Sequence, residues 1–389
     1  MDIEERIKRR TQNETQPRFI TDYQLISPVA HANEPVARGP LLEQLLDFLE
    51  PAFNGSIPPN GYVYGPTGSG KTAVVSTLWD NLDQLPSGSV ATIHTSTRVQ
   101  TKTFPRFTYI DGRQASSTFA FYRAVLDSIA ADQVPKHGIG TETLRERLTE
   151  NLEGSPGLII SVDHVGESLS IDETEFIDLV RGLPTNVSWL AVSRKRPNET
   201  PLTEYTGKSI SVDRYRKQIL VDILMQRASD GLANQAIRHP IAADISQWAD
   251  GNAHDALCVL FGAAMRVDDA NRAQFADTDI TAVIKNMRHS RVPLGVVFSL
   301  PKNRQSVLRE LVRLGPDQRQ SVSTATNAIE QSDLSESTVK RFLYELAESG
   351  IIERKESDTT HSKGRPPSKV IPRFPAEVFA RLYDFQQTS

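Results

Sequence analysis

The sequence predicts an α/β domain with a parallel sheet, then a helical domain, then a C-terminal winged helix-turn-helix. The first observation is a glycine-rich stretch, residues 65–72, that joins an apolar strand pattern to a helical pattern. The second is the alternation of short apolar stretches with amphipathic ones as far as Val212, which is typical of a mostly parallel sheet covered on both faces. The third is the order of helices and short strands after residue 292.

The glycine-rich stretch reads Gly-Pro-Thr-Gly-Ser-Gly-Lys-Thr, which is the spacing of a phosphate-binding loop. Glycines let several backbone N–H groups point at one anion, and the following helix adds its positive N-terminal end. A chance glycine-rich turn is the alternative, but the flanking strand and helix disfavour it. The predicted ligand is ATP or ADP, held by Gly65, Pro66, Thr67, Gly68, Ser69, Gly70, Lys71, Thr72 and Ala73.

The remaining elements follow from apolar periodicity. Predicted strands cover residues 61–64, 90–95, 107–111, 158–162 and 188–192. Predicted helices of the first domain cover 41–49, 71–83, 117–131, 141–152 and 172–182, and those of the second cover 214–229, 239–249, 253–267 and 278–289. The domain boundaries that we expect are a flexible segment at 1–35, the α/β domain at 36–212, the helical lid at 213–292 and the winged helix at 293–389.

The third domain has the parts of a winged helix in order. Helices are predicted at 302–314, 321–331 and 335–349, then a strand at 351–354, a basic tip and a return strand at 368–374. The third helix would enter the major groove of DNA, and the tip Lys-Gly-Arg-Pro would suit a narrow minor groove. A solvated basic loop is the alternative for the tip. The predicted DNA-binding residues are Ser337, Lys340, Arg341, Lys363, Arg365 and Lys369.

A magnesium ion is expected beside the phosphates. Its predicted ligands are the hydroxyl of Thr72 and the carboxylate of Asp163, which ends the apolar strand Leu-Ile-Ile-Ser-Val-Asp. Enzymes that hydrolyse the nucleotide commonly place a Glu after this Asp to orient water. Here His164 follows, and its imidazole could take a proton, although it is larger and differently aimed; a polar residue at a site no longer under catalytic demand is the favoured alternative. Glu167, three residues further on, should not occupy the same place.

In the order of these motifs, the chain resembles the archaeal origin-recognition, Orc/Cdc-type replication initiators of the AAA+ ATPase superfamily, as a divergent paralog. The resemblance is carried by residues 51–75, by Tyr-Ile-Asp-Gly-Arg-Gln at 109–114 and by Gly-Asn-Ala-His-Asp-Ala-Leu at 251–257. It implies that the family's water-orienting Glu falls on His164 and its two sensors on Arg194 and His254. The stretch at 201–211, where an arginine finger is expected, contains only Lys208 as a cation.

The resemblance implies an ATP-binding protein of DNA replication that binds double-stranded origin DNA, with nucleotide as a switch and weak or absent hydrolysis. Other initiator paralogs or a replicative helicase would be its protein partners. A non-enzymatic DNA-binding regulator, borne by a plasmid, virus or chromosome, is the alternative. A AAA+ motor or clamp-loader-like enzyme is disfavoured by the replaced catalytic groups.

The composition of the chain restricts which functions and compartments are compatible with it. The 389 residues carry a net charge of −4, while residues 300–389 contain fourteen Lys and Arg against twelve Asp and Glu, so any DNA contact should be local. The single cysteine, Cys258, excludes an intramolecular disulfide framework. No apolar run reaches the length of a membrane span. We therefore expect no membrane association and a cytoplasmic, nucleoid-associated protein.

Overall fold

The computed structural model describes residues 19–31, 35–84, 104–287, 290–329, 334–356 and 368–388. The chain divides into two compact units, residues 31–215 and a second unit formed by residues up to 30 together with 216–389. The predicted strand at 90–95 and the predicted wing tip, with Lys363 and Arg365, lie outside the described residues.

The first unit is built on a five-stranded, fully parallel sheet in the order β2-β3-β4-β1-β5. Its strands are β1 Gly61–Tyr64, β2 Arg106–Asp111, β3 Leu158–Asp163, β4 Val187–Ser193 and β5 Lys208–Ser211. Its helices are α2 Gly39–Phe53, α3 Lys71–Asp83, α4 Thr118–Ile129, α5 Thr141–Leu152 and α6 Glu173–Arg181, with 3₁₀ turns at Pro197–Glu199 and Pro201–Tyr205. The sequence did not predict β5 as a strand.

Both faces of the sheet are covered by apolar clusters. Successive residues of a strand point to opposite faces, and Tyr62 accordingly packs with Phe121 and Trp189, while Val63 packs with Trp79 and other residues on the opposite side. The carboxyl ends of β2, β3, β4 and β1 all meet at one edge. In parallel α/β sheets, ligands bind outside this edge, and the phosphate loop follows β1 there.

The second unit contains the helical part and the winged helix. Its helices are α1 Tyr23–Ile26, α7 Lys217–Gly231, α8 His239–Ala249, α9 Ala253–Asp269, α10 Asp277–Met287, α11 Leu294–Phe298, α12 Lys302–Arg313, α13 Val322–Ala328, α14 Glu336–Glu348 and α15 Ala376–Thr388, with a 3₁₀ turn at Asp317–Arg319. Strands β6 Ile352–Glu356 and β7 Ser368–Pro372 form an antiparallel hairpin. The described residues before 31 pack on the helices, since the backbone N–H of Thr21 donates to Gly231 and the ring of Phe19 meets Phe275 edge-on.

Candidate functional site

The glycine-rich loop between β1 and α3 contains two glycines in a left-handed backbone conformation. Gly68 and Gly70 have φ of 71° and 83°, the left-handed region that favours glycine. A side chain at Gly70 would also collide with the hydroxyl of Tyr215. The loop leads directly into Lys71, the first residue of α3, so the positive end of the helix lies at the loop. This backbone is suited to surround a phosphate.

Lys71 is the cation of this loop. Its side chain is almost fully buried, and Nζ donates to the carbonyl oxygens of Gly65 at 2.7 Å and Pro66 at 2.9 Å. Burial lowers the pKa of Lys71 to about 8, although the carboxylates of Asp163 and Glu167 favour its charged form. A desolvated ammonium inside a glycine loop gains most from an anion placed beside it.

Arg38 and Tyr215 support the loop, and sequence reasoning singled out neither of them. The Arg38 guanidinium lies 3.8 Å from the centre of the Tyr215 ring. Its Nη2 donates to the carbonyl oxygen of Ser69 and, at 2.8 Å, to that of Asp213. The two residues are far apart in the sequence, so no local pattern could have revealed the pair.

Asp163 ends β3 with its side chain 2% exposed. One carboxylate oxygen accepts the Tyr109 hydroxyl at 3.0 Å, and the other accepts the backbone N–H of His164 at 2.7 Å. Burial, reinforced by the charge of Asp163, raises the pKa of Tyr109 well above its usual value, so this phenol stays a donor. Asp163 is therefore a fixed carboxylate at the edge where the phosphate loop lies.

The residues present fit a nucleotide with Mg²⁺. Thr72 and Asp163 would offer two oxygen ligands, and Mg²⁺ commonly takes only one or two from protein, completing its shell with phosphates and water. Within the described parts of the chain, no group of three or more His, Cys, Asp or Glu could hold a metal on its own. The buried Oγ of Ser69 has no hydrogen-bond partner among the described residues, which leaves a donor within the loop for a phosphate oxygen.

His164, Glu167 and Arg194 form, with Asp163, what we call the charged cluster. His164 has a φ of 65°, an uncommon value for a residue with a side chain. Its Nδ1 lies 3.3 Å from Glu167 Oε2 and its Nε2 lies 3.6 Å from Asp163 Oδ2, and neither nitrogen makes a well-aligned hydrogen bond within the described residues. Burial opposes the imidazolium, but the two carboxylates raise the pKa of His164.

Glu167 and Arg194 form a bidentate ion pair within this cluster. Arg194 Nε donates to Oε1 at 2.7 Å and Nη2 donates to Oε2 at 2.5 Å. The Glu167 side chain is 7% exposed and that of Arg194 is 36% exposed. Burial would raise the pKa of Glu167, but His164 and Arg194 lower it to about 2. The negative charge of Glu167 and the positive charge of Arg194 therefore neutralise each other.

The structure brings Glu167 into the site, although sequence spacing led us to set it aside. The Glu167 N–H donates to the carbonyl oxygen of His164, and Gly166, at φ 73°, hydrogen-bonds to Ile171. These contacts turn the chain after β3 and return the Glu167 carboxylate toward His164. The glycine at 166 is the one sequence signal that could have indicated such a turn.

His254, the predicted second sensor, lies near the start of α9 in the second unit. Its Nε2 accepts the backbone N–H of Leu294 at 3.0 Å, and its Nδ1 lies 3.1 Å from Asp255 Oδ1. Its side chain is 13% exposed. Both ring nitrogens are therefore engaged by neighbours within the same unit.

The predicted recognition helix is α14. Ser335 caps it, with its Oγ accepting the N–H of Thr338 at 3.3 Å. Its apolar residues are buried, whereas the predicted DNA-binding residues Ser337, Lys340 and Arg341 are exposed. Arg341 Nε lies 3.5 Å from Glu345 in a loose ion pair. Lys369 is half-buried on β7.

Among the described residues, no helix has the length and apolar character that crossing a membrane would require.

Comparisons with known proteins agree with this arrangement. The family model of the AAA ATPase domain matches residues 34–190. The chain is 23% identical over 329 residues to the ORC1-type DNA replication protein 6 of Halobacterium salinarum, covering 80% of this chain and 82% of that protein.

Two solved structures have a similar fold. The Aeropyrum pernix Orc1 protein in complex with DNA matches with a TM-score of 0.60 and 19% identity, over 96% of this chain and 100% of that one. The Aeropyrum pernix Orc2 protein, in ADPNP-ADP complexes, matches with a TM-score of 0.54 and 14% identity, over 95% and 100%. The predicted fold class, a AAA+ domain with a helical lid and a winged helix, is confirmed.

Proposed function

We propose that the chain is an archaeal Orc/Cdc-type AAA+ protein, a replication initiator whose bound nucleotide acts as a switch and is hydrolysed slowly or not at all. It binds ATP or ADP with Mg²⁺ through the first unit and double-stranded origin-type DNA through the winged helix and the AAA+ core. The named relatives support the replication role. The observation that carries slow hydrolysis is the ion pair between Glu167 and Arg194.

The loop residues bind rather than transform the nucleotide in this proposal. Lys71 and the loop N–H groups hold the phosphates, while Thr72 and Asp163 hold the cation. Bound Mg²⁺ would neutralise charge on the phosphate oxygens. The pairing of Arg38 with Tyr215 keeps the loop in its curled conformation.

Hydrolysis needs a base or acceptor that orients water and a cation that stabilises the charge developing on the transferring phosphoryl group. In the charged cluster, the imidazole of His164 lies between two carboxylates. The positive charge of Arg194 is neutralised by Glu167, and both carboxylate oxygens of Glu167 accept hydrogen bonds from Arg194. Among the described residues of the charged cluster, neither a carboxylate nor a cation is left unpaired to meet these requirements, and this supports nucleotide retention over hydrolysis.

A single-turnover assay with radiolabelled ATP tests slow hydrolysis. We expect bound ATP to persist far longer than in an ordinary AAA+ enzyme, because removal of one arginine finger alone can cost ~10³-fold in rate. Lys71→Ala serves as the binding-deficient control. A rate typical of AAA+ enzymes that disappears in Lys71→Ala would refute slow turnover while leaving nucleotide binding intact.

DNA binding through α14 is supported by the exposure of its polar residues and by the Orc1 relative, whose structure is a complex with DNA. Replacing both Lys340 and Arg341 by Ala should weaken binding to duplex DNA about tenfold or more and reduce the salt slope by about 2. Lys285→Ala removes an exposed cation from α10 and is the matched control. If the control weakens binding as much as the double variant, the contact is a general charge effect and not α14. The wing contacts of Lys363, Arg365 and Lys369 remain predictions.

The second candidate function is a DNA-binding regulator that keeps nucleotide for structure alone, and the self-paired charged cluster favours it as well. The two functions differ in whether the bound nucleotide changes the binding of DNA. An initiator switch predicts that footprints on candidate origin DNA change between ATP, ADP and no nucleotide. A structural nucleotide predicts the same footprint and affinity with ATP and ADP, together with a lower unfolding midpoint when nucleotide is removed.

A further inference from the structure

A cleft of about 580 Å³ lies in the second unit, between α10, α12, the last residues of β7 and α15. It is distinct from the nucleotide site and from the exposed side of α14, which contributes no lining residue. Much of its wall is apolar, including Val283, Met287, Phe374 and Val378. Four arginines, Arg309, Arg313, Arg319 and Arg381, also line it, against two carboxylates, Glu377 and Asp384.

Three of the four arginines have carboxylate partners. Arg309 makes a bidentate pair with Asp384, with Nε donating to Oδ1 at 2.6 Å. Arg313 lies 2.9 Å from Glu310, and Arg381 pairs with Asp269. The carboxylate Glu377 is bound by Arg266 at 3.3 Å and Asn286 at 2.8 Å. These pairs balance one another's charge around the rim.

Arg319 is different from the other three. In the described parts of the chain its side chain makes neither an ion pair nor a hydrogen bond, and its Nε is buried without a partner. Burial alone lowers the pKa of this guanidinium. A partly desolvated and uncompensated charge is costly, and Arg is the side chain best shaped to take a carboxylate or phosphate through two parallel hydrogen bonds.

We propose that this cleft binds an acidic, partly apolar peptide segment of a partner protein, with a carboxylate of the segment on Arg319 and its apolar side chains on the cleft wall. Charge complementarity selects an anion, because Arg319 lines the cleft without a carboxylate partner among the described residues. The apolar wall selects an occupant with apolar side chains, which a DNA backbone does not offer. Acidic residues beside apolar ones in one segment satisfy both.

The test measures fluorescence anisotropy of a labelled, acetylated peptide, Asp-Leu-Glu-Phe-Asp-Leu, against the full chain. We expect saturable binding that weakens about ten- to a hundredfold in Arg319→Gln, because a charge-assisted hydrogen bond is lost. Arg147→Gln, the same change at an exposed residue of α5 outside the cleft, should bind as the parent chain does. The amide peptide Asn-Leu-Gln-Phe-Asn-Leu should bind at least about tenfold more weakly than the acidic one.

Several outcomes would overturn this inference. They are the absence of saturable binding by the acidic peptide, equal binding of the amide peptide, and unchanged affinity in Arg319→Gln. Displacement of the peptide by equimolar inorganic phosphate, or binding of a short DNA duplex that depends on Arg319, would assign the cleft to phosphate instead. None of these outcomes depends on nucleotide binding or hydrolysis.

Thermal unfolding provides an independent test of whether Arg319 stabilises the fold. A partly buried guanidinium without a partner lowers the stability of the free protein, so Arg319→Met should raise the temperature of the unfolding midpoint. The same variant should lose the peptide binding that depends on Arg319. A lower midpoint in Arg319→Met would show that Arg319 stabilises the fold itself, and the proposed role would be wrong.

Discussion

In the phosphate loop, the buried ammonium of Lys71 is held by two backbone carbonyls, whereas in the charged cluster His164, Glu167 and Arg194 hold one another. A carbonyl is a neutral partner that leaves the positive charge of Lys71 available to an anion. A carboxylate cancels the charge of Arg194. The two regions lie at the same edge of the sheet, yet the cation of the loop is bonded to neutral carbonyls and the cation of the cluster to a carboxylate.

In the proposed function, this difference separates nucleotide binding from nucleotide hydrolysis. Affinity for a phosphate requires donors and positive charge in fixed positions, and the loop provides them through its backbone. Acceleration of hydrolysis requires groups that respond to charge developing in the transition state. Groups already committed to an internal ion pair must first break it, so the cluster can stabilise the fold while contributing little to the reaction.

The largest effect is expected from Lys71→Ala. It should weaken ADP binding about a hundredfold, because charged hydrogen bonds to the phosphates are lost. Isothermal titration calorimetry measures the change, and Lys208→Ala, a cation on β5 outside the loop, is the control. If Glu167→Gln weakened ADP binding as much as Lys71→Ala, the loop and the cluster would not be functionally distinct.

A smaller effect is expected when the ion pair of the cluster is broken. Glu167→Gln should lower the free energy of unfolding by about 2 kcal/mol, because a charged hydrogen-bonded pair is lost. The loss is limited, since the partly exposed side chain of Arg194 can turn toward water. A double-mutant cycle with Arg194→Ala should give a coupling energy of roughly 1 kcal/mol or more.

The matched control is the exposed pair of Asp178 and Arg181, with side chains 70% and 58% exposed. Its coupling energy in the same chemical-unfolding experiment should be close to zero, about 0–0.5 kcal/mol. Equal coupling in the two pairs would mean that burial does not strengthen the pair of Glu167 and Arg194.

The smallest effect is a pH dependence of that same pair. Glu167 has an ordinary pKa of 4.5 and a folded pKa of about 2. Its ionised form therefore contributes stability that is fully present above 4.5 and is lost as the pH falls toward 2. The difference in unfolding free energy between the parent chain and Glu167→Gln should be larger at about pH 6 than at about pH 3. A difference that stays constant would show that the charge of Glu167 does not stabilise the fold.

Much of the fold could be predicted because its signals are local. The phosphate loop, the strand and helix on either side of it and the cap at Ser335 follow from residue type and spacing. The strand β5 was missed because it is four residues long and only Ile210 is fully buried in it. The helix α15 was missed as well, although Val378, Phe379 and Leu382 give it a buried apolar face.

The sequence by itself determined the phosphate loop, the alternation that produces a parallel sheet, and the order of the winged-helix elements, because backbone preference and periodicity act between near neighbours. Only the tertiary structure decided that Arg194 pairs with Glu167 and that Arg38 stacks on Tyr215. It also decided that Arg319, alone of the four cleft arginines, has no carboxylate partner among the described residues. These pairings depend on which elements, distant in the sequence, end close together in the fold. The pairing of a charged side chain decides how much charge it offers to a ligand, and the spacing of residues along the chain does not reveal that pairing.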